Sequence, residues 1–144
     1  MPKSTSASNS ILALIFNATT WADIAENDSS SPAANLYLSL HTADPGVGGA
    51  QTTNETAYTN YVRIAVARTT GGWDVPSGGA TANAALAQFA QCGVTGATLT
   101  HVAIGTASGG AGLVLYAGAL SSSLAVANGI QPQFAVGALD VTEA

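Results

Sequence analysis

Pairs of adjacent glycines at Gly71-Gly72, Gly78-Gly79 and Gly109-Gly110 cut the chain into short apolar runs. Runs of this kind, with a turn every ten residues or so, read as strands. The long crossover helices that a parallel sheet needs have no room between them. One stretch, residues 8–21, has helical spacing. Ile11, Leu12, Ile15 and Phe16 fall on one face, and Ser8 or Ser10 stands where an N-cap is needed. Before it, residues 1–8 are polar and small, and read as a flexible N-terminal arm. Residues 9–144 then read as a single domain.

The strand signals differ in strength. Residues 35–42 alternate cleanly, with Leu36, Leu38 and Leu40 on one side and Tyr37, Ser39 and His41 on the other. Pro45 and the glycines after it end that run. Residues 61–68 place Val62, Ile64 and Val66 opposite Tyr61, Arg63, Ala65 and Ala67. Further strands are expected at 73–75, 84–89, 98–105, 113–120, 124–126 and 133–141, with 113–120 continuous enough to be central. The pattern is that of an all-β sandwich or barrel with one short N-terminal helix.

Charge narrows the function. The chain has 144 residues and is 47% hydrophobic but only 8% charged, against about 25% charged in ordinary soluble domains. Its surface must be made of small polar and small apolar groups, which favours assembly with other copies or other proteins. The formal net charge is -5, and Lys3, Arg63 and Arg68 are the only basic side chains. Direct binding of nucleic acid or of an anionic membrane is excluded on that balance. The apolar run at 11–16 is too short to span a bilayer and lacks the basic flank of a secretory signal, so synthesis and retention in the cytoplasm are expected. Cys92 has no intrachain cysteine to pair with, and is expected to be a buried or half-buried small residue.

The residues that could carry chemistry have simpler explanations. His41 and His101 are the only imidazoles, and neither has metal-ligand spacing. Asp44-Pro45-Gly46 reads as a turn in which Asp44 accepts local N–H bonds. The carboxylates are not paired for acid–base work, and Ser121-Ser122-Ser123 and the GTASGG string lack the context of a nucleophile or a phosphate loop. No catalytic residue, cofactor or metal is therefore assigned. The candidates are interface residues: Ile11, Ile15, Trp21, Tyr61, Arg63, Arg68 and Trp73. For Trp21 the alternatives are internal packing or a neighbouring subunit. For Trp73 they are a core lid, a protein interface or a sugar contact. Arg63 and Arg68 pair either within the chain or with a carboxylate on a partner.

The strings NSILALIFNATTW, NLYLSLHTADPG, ETAYTNYVRIAVAR, THVAIGTASGG, VLYAG and FAVGALDVTE, in this order, resemble a set of small structural proteins of tailed bacteriophages often labelled tail-fibre proteins. The chain also resembles the head cement, or decoration, proteins of short-tailed phages. That second resemblance implies a jelly-roll antiparallel β-sandwich on the outer surface of the capsid, working as a homodimer or other homo-oligomer that bridges subunits of the major capsid protein. The expected function is thus a non-enzymatic cement protein, with a tail-fibre or tail-tip component contributing to host adhesion as the alternative.

Overall fold

A computed structural model describes residues 3–21 and 33–143; the first two residues of the expected arm lie outside them. The elements in chain order are α1 (Thr5–Asn17), β1 (Asn35–His41), β2 (Ile64–Ala67), β3 (Ala80–Ala82), β4 (Ala87–Gln88), β5 (Ala97–Gly105), β6 (Val114–Val126), β7 (Gln133–Phe134) and β8 (Asp140–Thr142). The strands form one four-stranded sheet, β2-β1-β5-β6, and two two-stranded ones, β3-β8 and β4-β7. The protein is mostly β, with one short N-terminal helix. The chain divides into two compact units, one built from Met1–Asn35, Val66–Ala87 and Phe134–Ala144, the other from Leu36–Ala65 and Gln88–Gln133.

In the first unit, α1 begins at Thr5, inside the stretch read as an arm. Ser4 is its N-cap, and the Ser4 hydroxyl accepts from Ala7 N–H at 3.2 Å. Lys3 forms an ion pair with Glu143. Ser8, Leu12 and Phe16, spaced by four, are the buried side of the helix. They face the antiparallel pair β3–β8, in which Thr81 stands opposite Val141. Trp73 is fully buried and meets Phe16 edge to face at 4.6 Å between ring centres.

The helix ends four residues before Trp21. Ala18 turns left-handed at φ 52°, and the carbonyl of Ala13 accepts the N–H groups of Ala18 and Thr19. Arg68 completes the terminus. Its Nε donates to Ile15 O and its Nη2 to Leu14 O, both at 2.6 Å, while Nη1 donates to Ala33 O at 2.7 Å. The last carbonyls of a helix have no partner within it and carry the negative end of its dipole, so a guanidinium satisfies both needs.

Asn83 does the same for the segment that closes this unit. Its buried amide donates to Ala85 O and Ala135 O, and its oxygen accepts from Leu139 N, all at 2.8 Å. The expected strand at 133–141 is consequently two, because a turn with Gly137 at φ 76° separates β7 from β8. Of the expected strand at 73–75, only an isolated bridge from Trp73 to Asn83 is formed.

The second unit is organised by β1 and β5, which are antiparallel from Tyr37 opposite Gly105 to His41 opposite His101. Leu36, Leu38 and Leu40 are buried as the alternation requires, and Ser39 and His41 on the other face are buried too. Leu99, Ala103, Ile104, Phe89, Tyr58 and Cys92 fill the rest of this core. Two expectations are corrected here. The strand at 61–68 shrinks to β2, where Ile64 and Val66 are half-buried and Ala65 and Ala67 exposed as the alternation expects, while ahead of it Val62 is 60% exposed and Arg63 is buried, against that alternation. The stretches 113–120 and 124–126 fuse into β6, which lies at the end of the sheet order and not in its centre.

The left-handed Ala18 gives the first expected outcome. A Cβ in this conformation costs about 1 kcal/mol that glycine avoids. Ala18→Gly should therefore raise stability by about 0.5–1 kcal/mol in urea unfolding; an unchanged or lower midpoint would mean that this helix end is not formed in solution.

Candidate functional site

Three of the quoted strings, NLYLSLHTADPG, ETAYTNYVRIAVAR and THVAIGTASGG, meet in the second unit in a cluster of buried polar side chains. Its geometry starts from the turn after β1. The Asp44 carboxylate accepts from Gly46 N–H at 2.8 Å, and the Asn54 side chain donates to Asp44 O at 2.8 Å. Asn54 is left-handed at φ 54°, a conformation that asparagine tolerates better than most residues. The chain thus returns alongside β1. Thr42 N–H donates to Asn54 O, Thr56 N–H donates to Leu40 O, and Glu55 bridges to His41.

Glu55 is the anion of the cluster. Arg63 meets it with two prongs, Nε to Oε1 at 2.6 Å and Nη2 to Oε2 at 2.7 Å. The Tyr61 hydroxyl donates to Oε1 at 2.8 Å while accepting from Leu40 N–H at 3.1 Å. Two further guanidinium hydrogens reach across to the GTASGG loop, donating to Ala107 O at 2.9 Å and Gly110 O at 2.8 Å. The hydrogen bond to Glu55 raises the Arg63 pKa above its ordinary value, and burial pushes the Tyr61 phenol up. A planar fork with this many fixed acceptors is a role lysine cannot fill.

Gln51 clamps the same loop from its other side. Fully buried, it donates from Nε2 to Tyr37 O at 3.3 Å, accepts at Oε1 from Ala107 N–H at 2.9 Å, and bonds through its backbone N–H to Gly112 O at 2.8 Å. A Cβ on Gly105 would lie 2.2 Å from the Gln51 Cδ, and one on Gly112 would lie 2.3 Å from its Oε1. Gly105 and Gly112 make room for the Gln51 amide.

His41 is wholly buried between β1 and the returning chain. Its Nδ1 is 2.9 Å from Thr53 O, and because a carbonyl can only accept, Nδ1 carries the proton. Its Nε2, 2.9 Å from the Ser39 hydroxyl, is then the acceptor. Burial lowers the His41 pKa, outweighing the bond to Thr53 and the attraction of Glu55. His101 faces it across the strand pair, with Nδ1 2.9 Å from the Thr100 hydroxyl. Among the described residues no group of three or more His, Cys, Asp or Glu could hold a metal ion. Glu55, Arg63, Tyr61, Gln51 and His41 each bond to the protein's own backbone or to a neighbour in the cluster, an arrangement for holding loops in place.

The interface candidates are spread over both units. Ile11 and Ile15 are half-exposed on α1, Trp21 is half-buried after it, and Arg68 sits on the end of the same helix. Trp73 is enclosed against Phe16 and has no exposed face. Tyr61 and Arg63 come together in the polar cluster. The residues that complete the two networks, Gln51, Glu55 and Asn83, are absent from the candidates. The one sequence trace of Gln51 is indirect: glycine at both Gly105 and Gly112, where its amide leaves no space.

A family model described as podophage GP4 fiber I protein gp80 matches residues 2–142. No curated protein matches the chain.

Two outcomes follow from the cluster. Glu55→Gln leaves a buried guanidinium without its counter-charge, so it should cost about 3 kcal/mol in urea unfolding; a loss below about 1 kcal/mol would place the pair in water. His41 should make stability depend on pH with a known sign. Its folded pKa lies below the unfolded value of about 6.5, so the unfolded chain binds the extra proton first. Stability is full above that value and declines as pH falls from it toward the folded pKa. Urea midpoints between neutral pH and pH of about 5 should fall more steeply for the native chain than for His41→Gln; equal slopes would refute the assignment.

Proposed function

The chain belongs to the family of podophage GP4 fiber I protein gp80, and from that premise we propose that it is a component of the phage tail fibre or tail tip, contributing to host adhesion through its place in that assembly. It is a non-enzymatic phage structural protein. The observation that carries the finer reading is the family's own description, which names a fibre and covers nearly the whole chain. The polar cluster agrees with it in kind. Glu55, Arg63, Tyr61 and Gln51 are spent on fixing the chain's own loops, as suits a protein whose product is a rigid surface.

The capsid-cement reading, with the major capsid protein as partner and a jelly-roll body on the outer capsid surface, rests on resemblance alone. The family description favours the fibre over it. In the fibre reading, the partner surfaces are other virion proteins. Ile11 and Ile15 on α1 keep part of their surface exposed and stay among the proposed contact residues. Trp73 is not part of that surface, so adhesion through a sugar stacked on its ring is not included.

Immunogold labelling of intact particles, with the copy number measured alongside, tests the reading. Label confined to the tail at few copies per particle is expected. Label spread over the head at high copy number would overturn the fibre assignment in favour of cement.

A further inference from the structure

Outside the two polar networks, the turn that follows β6 carries a reactive pair. Asn128 is the one asparagine of the chain that precedes a glycine. Asparagine is among the chemically labile side chains. Its carboxamide carbon lies within reach of the next residue's backbone nitrogen, and a glycine there brings no Cβ to obstruct the approach and turns more freely than any other residue. At Gly129 nothing lies within 4 Å of where a Cβ would stand. Asn128 and Gly129 are both exposed, so water reaches the pair. They form the tip of a turn closed by Ile130 N–H on Ala127 O at 2.9 Å, with Gly129 left-handed at φ 86°.

The fold also supplies a brake. Gly129 N–H, the group that must lose its proton and turn toward the side chain, donates to Cys92 O at 2.9 Å. Cys92 N–H returns a bond to Ile130 O at 2.8 Å, and the Gln91 side chain donates to Gly129 O at 2.8 Å. Cys92 is itself buried, its thiol directed at Thr95 O and Gly93 O. The Gly129 nitrogen is therefore held by an anchored carbonyl until this pairing opens. Backbone bonds at an exposed turn open more readily than those of a core strand.

We infer that Asn128 is a self-modifying site, at which the side-chain amide becomes a carboxylate at a rate set by release of Gly129 N–H from Cys92 O. The deprotonated Gly129 nitrogen attacks Asn128 Cγ, and the new C–N bond closes a five-membered imide. The Cγ–Nδ2 bond breaks, and ammonia leaves after taking a proton from solvent. Water then opens the imide. Opening at Cγ gives aspartate; opening at the main-chain carbonyl gives isoaspartate, whose backbone runs through the side-chain carbons. The balance needs water alone.

The product changes a surface that is otherwise without charge. From Val75 to Leu139 the chain contains no Asp, Glu, Lys or Arg. Either product places a carboxylate within that span and takes the formal net charge one unit below -5. Isoaspartate also lengthens the main chain, so Gly129 N–H and Ile130 O no longer meet Cys92 in register. Ammonia is lost to solvent, so the change accumulates with the age of the molecule.

Incubation of the full chain in mildly alkaline buffer, followed by peptide mass mapping, tests the inference. The mass gain of an amide becoming an acid should be found on the peptide holding Asn128 before any other asparagine, with isoaspartate in the same peptide and a matching acidic band on isoelectric focusing. Urea removes the bond to Cys92, so conversion at Asn128 should run about tenfold faster or more in the unfolded chain. Asn128→Gln, whose longer side chain closes the ring poorly, should lose the acidic band and keep the native urea midpoint. Earlier conversion at another asparagine, no conversion at Asn128 in urea, equal rates folded and unfolded, or an Asn128→Gln chain that acidifies as the native one does would each overturn the inference. None of these outcomes depends on where in the virion the protein resides.

Discussion

The second unit depends on one ion pair. Glu55 and Arg63 are eight residues apart, and between them the chain leaves the side of β1, turns at Asn60 in a left-handed conformation, and comes back. Without the pair, the loop after β1 and the GTASGG loop would each keep carbonyls or carboxylates buried and unmatched. With it, the guanidinium serves both at once. A buried pair of this sort adds little net stability over an apolar substitute, since desolvation offsets most of the attraction. What it supplies is position, because one guanidinium donates to Glu55, Ala107 and Gly110 together. The charge is scarce in the chain, and it is used where geometry matters most.

The first unit solves the same problem with different residues. Short elements leave most backbone polar groups outside regular ladders, and each buried one needs a partner. Arg68 gathers the last carbonyls of α1, and Asn83 gathers the segments around Ala85, Ala135 and Leu139. In both units, then, a single branched polar side chain takes the place of a missing stretch of secondary structure. That economy explains how so many glycine-rich turns coexist with a fixed core.

Where local pattern and tertiary need agree, the sequence is readable. β1 is the clear case: its alternating leucines are buried and its ends fall within one residue of the expected ones. The helix is readable in its apolar face but not in its ends, since Ser4 outcompetes Ser8 and Ser10 as a cap and Ala18 stops the helix without a glycine. At Arg63 local alternation and tertiary need part. Alternation assigns faces by hydrophobicity, and here an ion pair pulls the arginine inward and leaves Val62 outside. β6 fails for another reason: a run of small apolar residues looks the same at a sheet's centre and at its edge. Gln51 and Asn83 were invisible because a lone amide carries no periodicity, and their partners are backbone atoms far along the chain.

The neutrality of the span from Val75 to Leu139 has a consequence for the surroundings in which the protein works. Attraction between charged surfaces fades over about 10 Å at 0.1 M salt, and over less in stronger brine. A span with no ions on it has nothing for salt to screen, so its side chains have no ionic attraction to lose as salt rises.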